Sequence, residues 1–572
     1  MSEEEKQVKR HRALVFQGGG ALGAYEAGTY QQIYKKVSCE EDTDDNRLFD
    51  IIAGTSIGAI NSAVVVGHYL KNNNSWKGSA EKILEFWEGL MCSTIADDLF
   101  EKNPFFRNSW EYLHRTNPGI ADVESARRFW SIFEFAFTPR GVPNMYECVP
   151  KWGSKFLNPF TDFLPWWRYN YQPLRNYLSK FVDFPIKTSL EKGQPRLLLT
   201  SVDIQDYATP VVFDSYEKLH DAPVNRNTIA EGEEGKDNHS RWYSEYGNSE
   251  NRHIVFYDGI GADQVLASAL DKYATDHPHI EDITTGNMRQ LWDGGYLSNT
   301  PLRELLTAHN HYWMEYLQKN RRRKSEKLIT QTPELEVYIV NLHPLAPKDI
   351  PEDKDLVDDR ENDIVFHDRT RHDEQVGYAF TDFVNMTRDL VELARANGLS
   401  KSVEEILEKK AKTIARVDEY RHITYRDLLL GNPRISKVWR IDRLENTGAT
   451  LGKVTDFTPS TIRKLIESGQ IDARISINRN EIIFAIQDLV SDGIMSIEEG
   501  DEIMKEAREV VTTEQLLYRI RKEELVEAYN RYVKRIEAKN ISPERKEKLI
   551  SPGRDIIALV SEVDNAKSAL TS

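Results

Sequence analysis

The feature that most constrains this chain is a unit that occurs twice near its start. An apolar run, Ala13-Leu14-Val15-Phe16, leads into Gly18-Gly19-Gly20. A helix is then predicted over Ala21 to Lys35, with Tyr25, Thr29 and Ile33 on one face. A second run, Leu48 to Ala53, leads into Gly54-Thr55-Ser56-Ile57-Gly58 and a helical segment over Ala59 to Leu70. Strand, glycine turn and helix, repeated, predict a mainly parallel sheet with helices on both faces. Strand-like runs return at Arg196–Ile204, Pro210–Phe213, Ile254–Tyr257 and Leu335–Leu342. Beyond about residue 345 the strand signal fades and helical spacing dominates.

The glycine turns carry chemistry. G-T-S-I-G between a strand and a helix forces a serine out of the sheet edge. Small residues, Gly54 and Gly58, are needed on both sides because backbone and Cβ atoms crowd there. The helix that follows aims its first N–H groups at the serine and favours negative charge. A helix-capping serine in a tight turn is the plain alternative. The run Gly18-Gly19-Gly20-Ala21-Leu22-Gly23 exposes successive amides to an anion, either a nucleotide phosphate or the oxyanion of acyl transfer. A dinucleotide fingerprint can be laid on Gly18, Gly20 and Gly23. Its acidic partner would then fall in the charged loop 38–47, and no Walker lysine follows. A third turn, Trp292-Asp293-Gly294-Gly295, puts a carboxylate at a glycine pair; alone it is a common turn, and near a serine it is a general base.

Taken in order, GGGALG, GTSIG and DGG resemble the patatin-like phospholipase family, over about residues 10–345 apart from the aromatic stretch 100–181 and the loop 225–252. Gly28, Asn61, Ser298-Asn299-Thr300-Pro301 and the stretch Asp203–Phe213 fit the same resemblance. It implies a three-layer α/β/α sandwich and a catalytic dyad without histidine. Ser56 would be the nucleophile and Asp293 the base. The amides of Gly18, Gly19, Gly20 and Ala21 would form the oxyanion hole, with no metal and no other cofactor. The family's proline-ended segment before D-G-G is absent: Ala267-Ser268-Ala269-Leu270 runs on into Asp271-Lys272-Tyr273-Ala274. That departure leaves the dyad intact and leaves acyl-chain preference open.

Composition sets the rest. The chain has 572 residues, enough for two to four domains or one large α/β domain with additions. Its formal charge of −16 argues against general nucleic-acid binding. The three cysteines, Cys39, Cys92 and Cys148, form neither a disulfide framework nor a metal-ligand spacing. The charged opening MSEEEKQVKRHR lacks a secretory h-region, and no apolar run is long enough to span a bilayer. A cytoplasmic protein is expected, peripheral at membranes or at lipid or polymer granules. Five of the eleven tryptophans lie in residues 100–181 together with many phenylalanines and prolines, which predicts an aromatic-rich insertion or cap. The expected organisation is a catalytic domain over 1–345, with the cap at 100–181 and a mobile loop at 225–252. A charged helical extension over 346–430 and a helical C-terminal region over 431–572 follow. The activity that the resemblance implies is a serine lipid acyl hydrolase of phospholipase A or esterase type, acting through an acyl-enzyme on phospholipid or related esters. The alternatives are an intracellular polyester depolymerase and a non-catalytic membrane- or granule-associated scaffold. The sequence leaves the oligomeric state open.

Overall fold

The computed structural model describes residues 10–39, 47–117, 119–151, 166–205, 209–216, 254–257, 259–275, 277–281, 288–323, 331–343, 350, 354–412, 423–431, 434–443, 452–511 and 522–571. The loop expected at 225–252 lies outside them.

Strands β1 (Arg10–Phe16), β2 (Ile51–Thr55), β3 (Glu147–Lys151), β4 (Trp166–Asn170), β5 (Arg196–Asp203), β6 (Thr209–Asp214), β7 (Ile254–Tyr257), β8 (His279–Glu281), β9 (Met288–Asp293), β10 (Glu334–Asn341) and β11 (Ile435–Asp442) are the described strands. The main sheet runs β11-β10-β1-β2-β5-β6-β7. Every step is parallel except β5 to β6. Because side chains alternate along a strand, the sheet separates two apolar layers. Leu14, Phe16, Ile52, Leu197 and Val340 face one core, with helices α1 (Gly23–Ser38) and α2 (Ile57–Lys71). Ala13, Val15, Ile51, Leu198 and Ile339 face the other, under Leu302, Leu305 and Ala308 of the helix Leu302–Arg323. The result is the three-layer α/β/α sandwich, with an aromatic-rich insertion and a mainly helical C-terminal region.

Two expected boundaries shift. The division at 345 does not divide the fold. β11 continues the sheet by pairing with β10, and the helix Pro459–Ser491 packs along α1. Cβ atoms at Gly28 and Gly469 would strike the Ile466 and Tyr25 carbonyls across that contact, so the helix axes come close. Tyr25 Oη donates to Asp472 Oδ2 at 3.0 Å and Thr29 Oγ1 to the Gly469 carbonyl at 3.3 Å, so the C-terminal helix covers these two members of the expected stripe. β11 escaped the sequence reading because Lys437 and Arg440 interrupt its apolar pattern; Arg440 is buried and satisfied by Asp368 and Glu374. The second half of Pro459–Ser491 joins a separate small core of Ile482, Ile486, Leu489, Tyr532 and Leu549 with the last helices.

The cap is likewise not separate throughout. The helices Ile95–Phe100, Pro104–Thr116 and Val123–Phe137 share a small core of Ala96, Phe100, Ala126 and Trp110. Phe135, Tyr146 and Cys148 belong to the main core, as do Leu174, Leu178 and Phe181 of the helix Gln172–Phe181. Buried Arg127 bonds Asp97 Oδ1 at 2.7 Å and Thr458 Oγ1 at 3.1 Å, while Arg128 bonds Asp456 Oδ2 at 3.1 Å. These pairs tie the cap to the segment that enters the long C-terminal helix.

Candidate active site

The sheet register brings the expected residues together. β2 pairs with the first half of β5, ending at Thr55 opposite Thr200. The chain then leaves the sheet, and β9 takes over, pairing antiparallel with Ser201–Asp203. Asp293 lies opposite Ser201, in the position that the residue after Thr55 would have filled. The carboxylate therefore occupies the slot that Ser56 vacates. Ser56 Oγ donates to Asp293 Oδ2 at 2.5 Å, across 237 residues of sequence.

Ser56 has φ 57° and ψ −124°, a backbone conformation that costs energy for a residue with a side chain. Its surroundings hold it there. A Cβ at Gly58 would lie 2.5 Å from the Phe16 carbonyl oxygen, and one at Gly54 would lie 2.6 Å from Ser62 Oγ. Only glycine lets α2 start that close to β1. The Ser56 amide donates to Ser268 Oγ at 3.1 Å, and Ser268 Oγ donates to the Thr200 carbonyl at 2.6 Å. Ser268 stands in the segment that departs from the family pattern, and the sequence offered no sign that it braces the turn. Asn61 serves packing: it bonds the Gly23 carbonyl, Glu26 and Trp87, locking α1 to α2.

Asp293 is oriented through its other oxygen, Oδ1, which accepts the Gly295 amide at 2.7 Å. Burial pushes its carboxyl up to about 7, against the pull of the Ser56 and Gly295 hydrogen bonds, with the Asp271 charge adding to the rise. A carboxylate at that level accepts a proton near neutral pH far better than a solvated one.

The glycine loop lies against this pair. A Cβ at Gly18 would come 2.8 Å from Ser56 Cβ, so the loop backbone touches the nucleophile position. The Gly18 amide is already engaged, donating to the Asn299 carbonyl at 3.2 Å. Gly20 has φ +56°, and a Cβ there would strike the Val454 carbonyl. Asn299 belongs to the Ser298-Asn299-Thr300-Pro301 stretch that the sequence singled out. Gln17, Leu342, His343 and Val454, which also border the loop, carried no sequence signal.

A three-layer sandwich with an elbow serine bonded to a carboxylate, at the carboxyl ends of parallel strands, is an arrangement chemically suited to ester hydrolysis. A family model described as patatin-like phospholipase matches residues 14–306, and the chain belongs to that family of lipid acyl hydrolases. The chain is also similar in structure to VipD from Legionella pneumophila, with 12% identity, a TM-score of 0.26, and coverage of 99% of this chain and 91% of that one. No curated protein matches it. Among the described residues no helix is long and apolar enough to cross a membrane.

Proposed function

We propose that the chain is a serine lipid acyl hydrolase of phospholipase A or esterase type, working through Ser56 and Asp293. The observation that carries this reading is the 2.5 Å bond from Ser56 Oγ to Asp293 Oδ2 at a strained elbow. Asp293 takes the hydroxyl proton as Oγ attacks the ester carbonyl. The amides of Gly19, Gly20 and Ala21 receive the developing oxyanion, Gly18's being already engaged, and the N-terminus of α2 adds its dipole. The proton on Asp293 passes to the departing alcohol and leaves acyl-Ser56. Water then gives a proton to Asp293 and attacks the acyl carbon; that proton returns to Ser56 Oγ as the fatty acid departs.

The helix Val123–Phe137 supports contact with a lipid surface. Phe129, Trp130, Phe133 and Phe137 are 58%, 50%, 46% and 48% exposed along it, and aromatic rings suit the boundary between water and an apolar phase. A polyester granule presents the same kind of boundary.

The test is labelling by a fluorophosphonate together with acid release from phospholipid vesicles, triacylglycerol and hydroxyalkanoate granules. Wild type is expected to label and to release fatty acid from vesicles fastest, and Ser56→Ala to do neither. Labelling and turnover retained by Ser56→Ala end the dyad reading. Release from granules alone selects the depolymerase. A wild-type chain that neither labels nor turns over any ester selects the scaffold.

A further inference from the structure

The glycine loop is held by Asn299, within the family match, and by residues that lie beyond position 306, where that match ends. The Gly18 carbonyl oxygen accepts from Asn299 Nδ2 at 3.1 Å and lies 3.2 Å from His343 Nε2. A carbonyl oxygen only accepts, so Nε2 carries the proton in that bond. The other ring nitrogen, Nδ1, is 3.1 Å from Asp363 Oδ1. Lys453 Nζ reaches the same Asp363 oxygen at 2.7 Å and Asp359 Oδ1 at 3.0 Å. His343, Asp359, Asp363 and Lys453 are all buried.

The helix Lys354–Phe366 supplies Asp359, Asp363 and Phe366 at i, i+4 and i+7, one face of a helix. The Phe366 carbonyl accepts from Asn299 Nδ2 at 2.7 Å and from Gln17 Nε2 at 3.2 Å. The Phe366 ring lies 5.8 Å from the His343 ring, centroid to centroid. Gln17 Oε1 accepts the amides of Leu342 and His343 at 2.6 and 3.1 Å. The ring of His343 is thus fixed from its backbone, from Nε2 and from its face, and Nδ1 lies against Asp363.

Removing four ionisable side chains from water is costly, and such clusters are weak contributors to stability. This one has a geometric consequence. A trans peptide is planar, so the direction of the Gly18 carbonyl sets the opposite direction of the Gly19 N–H. Residues 18–20 have no side chains to restrain that plane. Two donors on the Gly18 oxygen aim the Gly19 amide.

We propose that His343, backed by Asp363 and Lys453, is a positioning residue for ester hydrolysis, which fixes the Gly18 carbonyl and thereby points the Gly19 amide at the oxyanion. The inference rests on the proposed roles of Ser56 and the glycine loop. It makes the region after residue 345 a part of the active site and not an appendage to it.

The experiment measures kcat and KM on a soluble ester with the full-length protein. It compares wild type, Ser56→Ala, His343→Leu, His343→Gln and His343→Asn. His343→Leu is expected to lose about 10- to 100-fold in kcat, the range of a weakened oxyanion donor, with KM moving less than about twofold. His343→Gln places an amide N–H near the Nε2 position and is expected to recover most of the loss. His343→Asn is too short for this and is expected to stay impaired. If His343→Leu fails to fold, the Gln and Asn pair decides. Equal kcat for Gln and Asn overturns the proposal, as does a wild-type kcat in His343→Leu. Activity retained in Ser56→Ala fails the functional reading itself. An inactive Ser56→Ala beside an unimpaired His343→Leu fails only the positioning role.

Discussion

The elbow at Ser56 and the loop at Gly18–Gly20 flank the same hydroxyl, and their restraints come from different distances along the chain. At the elbow, Gly54, Gly58 and Ser62 lie within six residues of Ser56 and already dictate the close approach of α2 to β1; Ser268 adds one distant brace. At the loop, the holding atoms belong to Asn299, Leu342, His343, Phe366 and Val454. A strained turn is specified by local sterics. A mobile run of glycines has none of its own and must borrow its shape from whatever packs against it. The nucleophile is therefore built into a short motif, and the oxyanion site is built by the whole fold.

Asp293→Asn is the largest expected effect. The amide cannot take the Ser56 proton, and kcat on a soluble ester should fall about 10³- to 10⁴-fold. Denaturant unfolding should stay cooperative, since burial already disfavours the charge that the substitution removes. Near-normal turnover would show that the carboxylate only orients the serine.

Next comes the contrast between the two glycine sites. Gly58→Ala drives a methyl group to 2.5 Å from the Phe16 carbonyl oxygen, and is expected to cost about 2–4 kcal/mol in urea unfolding. Gly20→Ala meets the Val454 carbonyl in a left-handed conformation. It should cost comparable stability, about 2–4 kcal/mol, and more kcat, because the neighbour it displaces shapes the oxyanion site. Equal losses of rate in both variants would break the contrast.

The pH profile follows from Asp293. The base works ionised, and its carboxyl sits at about 7, so kcat should rise with pH through about 7 and flatten above it. Asp271 raises that level by like charge. Asp271→Asn should therefore move the acid limb to lower pH. An upward shift would assign the limb to another group.

The smallest expected effect on catalysis lies in the cap. Trp130→Ser combined with Phe133→Ser removes two exposed rings. It should weaken sedimentation with phosphatidylcholine vesicles several-fold, while kcat on a soluble ester stays at the wild-type value. Unchanged sedimentation would remove the cap from the lipid-facing surface.

Periodicity and punctuation made much of this legible. The twofold strand–glycine–helix unit predicted β1, α1, β2 and α2 closely, and the runs at 196–204, 210–213, 254–257 and 335–342 correspond to β5, β6, β7 and β10. Strands β3, β4, β8, β9 and β11 were not legible. β3 and β4 lie in the stretch read as an aromatic cap, β8 has three residues, and polar residues interrupt β9 and β11, so their strand character comes from the partners they meet. His343 shows the same limit at the site. Nothing in its sequence neighbourhood separates it from an ordinary core histidine, because its role depends on an aspartate, a lysine and a glycine carbonyl brought in from elsewhere.

The sequence by itself determined the alternating architecture and the strained serine turn, since both depend on side-chain periods and backbone sterics within a few residues. Tertiary structure alone decided that β9 fills the edge of β5 beyond β2 and sets Asp293 against Ser56. It also decided that a C-terminal strand extends the sheet and that two helices and a buried ion cluster close around the glycine loop. The physical reason is range. Register and buried polar pairing are fixed by packing between segments hundreds of residues apart, and no local pattern carries that information.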